Sequence, residues 1–143
     1  MNQITYRLTL VQGFLAEAQQ DITLRRWRSA VDNAQLSIEN SAKAVLASLG
    51  PVGRTHQPAV FLRQALQAGT FSLADVTKVS RLAELAELLG FDVHVQTDYG
   101  DETLGQTPWD LFDEDDAHQA VNMAVEAAAL AQAIVQELSP PDL

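Results

Sequence analysis

The sequence predicts an all-α fold, an up-and-down bundle of about five helices. Apolar residues recur at every third or fourth position in five segments, which is the spacing of one helix face. Glycine and proline separate these segments, as expected at helix ends. The one alternating stretch, residues 93–95, is short and has no partner strand. With 143 residues, the chain is predicted to form one helical domain, residues 1–143, with a buried core.

The first two predicted helices are joined by a short basic segment. Apolar positions in residues 3–23 predict an amphipathic helix. Residues 24–28 form the joint, and a second helix is predicted from residue 27 to residue 49. Gly50 and Pro51 end this helix, because glycine closes a helix readily and proline cannot continue it.

Three further helices are predicted in the rest of the chain. Residues 57–68 and 73–89 each have an apolar stripe and are each followed by a glycine. Residues 91–113 break the helical spacing, and we expect them to form an extended loop. The last helix is predicted to begin among the acidic residues 113–116, where negative charge favours a helix start, and to run to about residue 137.

Charge is divided unevenly along the chain. The net charge is −10, yet residues 1–90 contain nine Lys or Arg against seven Asp or Glu. Residues 91–143 contain twelve acids and no Lys or Arg. This asymmetry fits either one anion-binding face or a simple solubilising acidic segment. The chain has no cysteine and no apolar signal core near its start, so a cytoplasmic location without membrane attachment is expected.

Several motifs in this order and spacing resemble the HEPN family. They are Phe14-Leu15-Ala16-Glu17-Ala18 in the first helix, Ala34 to Ala44 around Glu39 and Lys43 in the second, Gly50, His56, Tyr99-Gly100-Asp101-Glu102 and the acidic start of the last helix at Glu114-Asp115-Asp116-Ala117. The resemblance covers nearly the whole chain. It implies a helical bundle, a homodimer, roles linked to nucleotides or RNA, and pairing with a minimal nucleotidyltransferase, as in toxin–antitoxin systems.

Catalytic members of that family resemble metal-independent ribonucleases, with an arginine four to six residues from a histidine. Here Arg54 precedes His56 by only two residues, and Arg81 precedes His94 by thirteen. Because this sequence departs from the catalytic spacing, the family resemblance implies a non-catalytic binding or regulatory protein. Two alternatives stay open: a ribonuclease in which Arg54 and His56 meet through the fold or across the dimer, and a purely structural helical adaptor.

Two sets of residues are candidates for phosphate binding. Arg25, Arg26 and Arg28 form the basic cluster at the start of the second helix, and arginine forks suit phosphate, although a solvated turn is also compatible with them. A second anion site would form if Lys43, Arg54 and His56 met at one end of the bundle.

Other polar and aromatic residues have simpler interpretations. Glu39 and Lys43 are four residues apart on one helix, which fits an exposed pair or a polar pair facing another helix. The acidic residues lack the spacing of known metal motifs, so neither a metal nor a cofactor is expected. Trp109 and Phe112 lie in an acidic segment, so we expect them to pack against the bundle instead of stacking on a base.

Overall fold

A computed structural model of the chain describes residues 2–138 and has an all-α fold. Within this range there are seven helices and no strand. They are α1 (Gln3–Thr23), α2 (Trp27–Ala47), α3 (Pro58–Gln67), α4 (Leu73–Leu88), α5 (Phe91–Tyr99), α6 (Pro108–Leu111) and α7 (Glu114–Leu138). The five predicted helices correspond to α1, α2, α3, α4 and α7, with ends that agree within a few residues.

The core lies where α1, α2 and α7 pack together; α4 packs against both α2 and α7, and α3 packs against α2 and α4. Ala34 and Ile38 on α2 are fully buried, and Val121 and Ala128 on α7 are nearly so. Burial of these positions confirms that the apolar stripes face each other. Many of the buried α7 residues are alanines, whose small side chains permit close helix packing.

The expectation of an extended loop over residues 91–113 was wrong. Residues Phe91–Tyr99 form α5, and residues Pro108–Leu111 form the short helix α6. Between them, Asp101 and Gln106 exchange two backbone hydrogen bonds in a tight turn. The side chain of Thr97 is the one buried on α5, so the segment lacks the apolar stripe from which a helix is recognised.

The turn after α5 depends on a glycine. Gly100 ends α5 with a φ of 68°, and a Cβ there would meet Gln106 O at 2.2 Å. A larger residue at this position would force the turn open, because both the backbone angle and the space require glycine.

No helix within residues 2–138 has the length and apolar character needed to cross a membrane.

Candidate functional site

The joint between α1 and α2 presents consecutive arginines in an unusual backbone conformation. Arg25 has a φ of 59°, the one positive φ outside glycine in the described residues. Its N–H donates to Ile22 O at 3.1 Å, and the N–H of Arg26 donates to Asp21 O at 2.8 Å. These two bonds form the helix-ending turn that normally places glycine where Arg25 lies. A left-handed arginine costs about 1–2 kcal/mol, which is a reason to look for a function of its side chain.

Trp109 lies beside this joint and is 72% exposed, so the expectation that it packs against the bundle was wrong. Pro108, the residue before it, takes the buried position at the start of α6, and Trp109 then points outward. Phe112 is partly buried against the core, as expected. The Thr107 hydroxyl and backbone cap α6, which fixes the position of Trp109.

We define the arginine–tryptophan cleft as the surface cavity formed by the joint and α6. Its volume is about 350 Å³, and it is lined by Arg25, Arg26, Trp27, Arg28, Ser29, Trp109 and Phe112. The Arg28 guanidinium carbon lies 5.8 Å from the centre of the Trp109 ring. That of Arg25 lies 5.7 Å from the centre of the Trp27 ring. Cations at this distance from an indole face are attracted by its π electrons.

Arg28 is held in place at the inner edge of the cleft. Its Nη1 donates to the backbone carbonyl of Thr97 at 2.8 Å, and its Nη2 donates to Ser29 Oγ at 3.4 Å. Its Nε is buried and has no hydrogen-bond partner within residues 2–138. The guanidinium is therefore positioned in advance by contacts with α5 and with its own helix.

The electrostatic character of the cleft is set by its cations. Arg25 and Arg26 make no ion pair within the part of the chain that the structure describes. Asp110 follows Trp109 but is engaged in capping α6, where it accepts from the backbone N–H and the hydroxyl of Thr107. These two bonds, the backbone one foremost, lower the pKa of Asp110. The cleft thus combines arginines with an exposed indole.

The other predicted anion site is only partly assembled. Arg54 and His56 line the same shallow surface pocket, beside Phe61 and Phe91. Lys43 instead forms a buried ion pair with Glu39, with 3.2 Å between Nζ and Oε2. Glu39 and Lys43 are therefore a polar pair inside the fold and not a solvent-exposed pair.

Glu39 also contacts the histidine of that pocket. His56 Nδ1 lies 3.4 Å from Glu39 Oε1, and the imidazole is 64% exposed. A buried carboxylate that holds one ring nitrogen of an exposed imidazole is the arrangement of an oriented acid–base histidine. The structure brings Arg54 close to this histidine, but it does not bring the cluster Arg25, Arg26 and Arg28 there.

Sequence reasoning missed the contribution of α5. The His94 ring lies 5.9 Å from the His56 ring in a near-parallel stack, and His94 Nδ1 is 3.7 Å from Asp32 Oδ1. The Thr97 hydroxyl lies 3.2 Å from the same Asp32 oxygen. A signal was present on α2, where Arg28, Asp32, Gln35, Glu39 and Lys43 form a polar stripe at helical spacing. Within residues 2–138, His, Asp and Glu form no group of three that could hold a metal ion.

These features define the class of protein as an all-α bundle with a polar seam along its second helix. A model of the HEPN domain matches residues 12–134, and the chain belongs to the HEPN domain family. Its fold is similar to that of TT1696 from Thermus thermophilus, known from a crystal structure. The TM-score is 0.69 at 19% identity, over 94% of this chain and 99% of that one. A comparison with curated proteins gave no significant match.

Proposed function

We propose that this chain is a non-catalytic HEPN-type binding and regulatory protein that contacts the phosphates of a nucleotide or RNA. The observation that carries this proposal is the convergence of Arg25, Arg28 and the exposed Trp109 on one cleft. Membership in the HEPN family agrees with such a role.

The chemistry of the cleft suits a nucleotide in two ways. Arginine forks recognise phosphate oxygens with paired hydrogen bonds, and Arg25 and Arg26 have no acidic partner within residues 2–138. An exposed indole offers a surface on which an unpaired base stacks, worth about 1–3 kcal/mol per base. A cavity of about 350 Å³ is within the usual size of a small-molecule site.

The proposal includes a homodimer and a partner. Several large apolar side chains remain exposed within the described residues, among them Leu73, Leu88 and Leu104. A second copy that covered any of them would remove apolar area from water, and the homodimer itself is an expectation that rests on the family. The partner we propose is a minimal nucleotidyltransferase, an expectation that rests on the family.

Binding is tested by titrating the protein with ADP and with a short single-stranded RNA. Quenching of tryptophan fluorescence reports stacking, and calorimetry reports affinity. We expect Trp109→Ala and the double variant Arg25→Ala/Arg26→Ala each to weaken binding about tenfold. Arg63→Ala is the matched control, since Arg63 pairs with Glu87 away from the cleft. Equal affinity in the cleft variants and this control would refute the proposal.

The adaptor alternative predicts a different result in the same experiment. A purely structural adaptor would bind neither ADP nor RNA, and its melting temperature would not rise with either ligand. A ligand at 100 times its Kd stabilises a protein by about 2.7 kcal/mol, which is easily measured.

The contact between Glu39 and His56 favours a second candidate function, a metal-independent ribonuclease. His56 would act as general base on a ribose hydroxyl and Arg54 would bind the phosphate, since both residues line one pocket. Incubation of the protein with RNA and EDTA tests this candidate. Cleavage that is lost in His56→Ala and Arg54→Ala but kept in His118→Ala would favour the enzyme over the binding protein.

A further inference from the structure

An apolar groove lies apart from the arginine–tryptophan cleft, between the end of α2, the following loop and α3. Its volume is about 500 Å³, and it is lined by Leu46, Leu49, Gly50, Pro51, Val52, Gly53, Arg54, Thr55, Phe61, Gln64, Ala65 and Ala68. Phe61 is 46% exposed at its edge. We call this cavity the α2–α3 groove.

No acidic side chain lines this groove, although the protein as a whole is acidic. Residues 40–74 contain no Asp or Glu, although the whole chain has a net charge of −10. Arg54 is the one charged side chain that lines the groove, and it makes no ion pair within residues 2–138. An apolar cavity with a single free guanidinium is complementary to a molecule that is apolar along its length and anionic at one end.

The loop that contains Arg54 has backbone donors without an acceptor in the described chain. The backbone N–H groups of residues 52–56 are not used in hydrogen bonds to the rest of the described chain; the Thr55 hydroxyl accepts from Gln57 N at 3.0 Å. Free N–H groups next to a guanidinium favour carboxylate or sulfonate oxygens. We infer that the α2–α3 groove binds a small amphipathic anion, with its apolar part against Phe61 and Ala65 and its head group on Arg54.

A fluorescent aryl sulfonate, 8-anilinonaphthalene-1-sulfonate, is a suitable probe, because it combines an apolar body with one negative charge. We expect the folded protein to bind it and Arg54→Ala to weaken the binding about threefold to fivefold, the effect of one exposed charge pair. Arg63→Ala is the matched control, because Arg63 pairs with Glu87 and does not line the groove. The uncharged analogue N-phenyl-1-naphthylamine should bind equally to wild type and Arg54→Ala.

Occupancy of the groove is tested by filling it. Ala68 is exposed at the end of α3, so Ala68→Trp should block the groove without disturbing the core, and probe binding should be lost at an unchanged melting temperature. Decanoate should displace the probe at a lower concentration than decyltrimethylammonium, because both carry the same apolar chain but only decanoate is anionic. Equal binding in Arg54→Ala and Arg63→Ala, full binding in Ala68→Trp, or equal competition by decanoate and decyltrimethylammonium would each overturn the inference.

Discussion

Arg28 on α2 and Thr97 on α5 lie 69 residues apart and are joined by a hydrogen bond of 2.8 Å from the guanidinium to the backbone carbonyl. The same guanidinium faces the Trp109 ring. One side chain therefore connects α5 with the arginine–tryptophan cleft. Any change that loosens α5 should also alter the geometry with which Arg28 meets a ligand.

Thr97→Val should destabilise the protein without removing volume from the core. The Thr97 side chain is fully buried, and its hydroxyl lies 2.7 Å from His94 O and 3.2 Å from Asp32 Oδ1. Loss of this donor should lower the free energy of unfolding by about 1–2 kcal/mol, as measured by urea denaturation. Thr103→Val, in the exposed turn after α5, is the control and should change stability by less than about 0.5 kcal/mol.

Arg25→Gly should make the protein more stable and a weaker binder. Glycine removes the cost of the left-handed backbone at this position, so we expect a gain of about 0.5–1 kcal/mol in the free energy of unfolding. Affinity for ADP should fall, since a guanidinium is lost from the cleft. Arg25→Ala provides a contrast, because it removes the same guanidinium but keeps a Cβ in the left-handed conformation, and it should give no such gain in stability. A destabilised Arg25→Gly variant would contradict the prediction.

Lys43→Met should be costly because it leaves the buried Glu39 carboxylate with no partner but the exposed His56 ring, 3.4 Å away. Both side chains of the pair are less than 10% exposed. Breaking such a pair should reduce the free energy of unfolding by about 3 kcal/mol. The double variant Glu39→Leu/Lys43→Met should recover to within about 1 kcal/mol of wild type, because it buries no charge. A double variant as unstable as the single one would show that the pair itself contributes the stability.

The ion pair between Arg81 on α4 and Glu126 on α7 should make stability depend on pH. Arg81 donates to both Glu126 oxygens, at 2.6 and 2.9 Å, and this hydrogen bonding lowers the pKa of Glu126 below its ordinary 4.5. A lowered folded-state pKa means that the stabilisation is present above pH 4.5 and is lost as the pH falls through the folded-state value.

Melting temperatures of wild type and Glu126→Gln should therefore differ at neutral pH and converge in acid, below the folded-state pKa of Glu126. A constant difference across this range would contradict the assignment. The effect should be modest, because both side chains are about 40% exposed.

The helices that could be predicted from the sequence are those with a periodic apolar stripe. Ile38 and Val121 belong to long stripes, and burial of those stripes determines how α2 and α7 pack. Helix α5 lacks this signal, since the alternating Val93-His94-Val95 suggests a strand and the buried side chain is Thr97. Contacts from Arg28 and Asp32 hold α5 in place, and tertiary contacts of this kind leave no local periodicity in the sequence.

Only the arginines of the arginine–tryptophan cleft could be predicted from the sequence. The cluster Arg25, Arg26 and Arg28 is nearly contiguous and visible in the sequence. Trp109 lies about eighty residues later in an acidic segment that carries no positive charge of its own. The cation that faces the Trp109 ring is Arg28, which comes from α2. The residues next to Trp109 in the sequence therefore could not indicate this pairing.

The alanine-rich face of α7 limits how this protein can change. Alanine loses no rotamer entropy when it is buried, so α2 and α7 associate with little ordering of side chains. Because these side chains are small, the backbones of α2 and α7 pack closely and leave no space for a larger residue. Replacing Ala124 or Ala131, both fully buried, with leucine should force the helices apart, whereas exposed positions on the opposite face should accept almost any side chain. Sequence drift in this helix is therefore expected to be confined to its outer side.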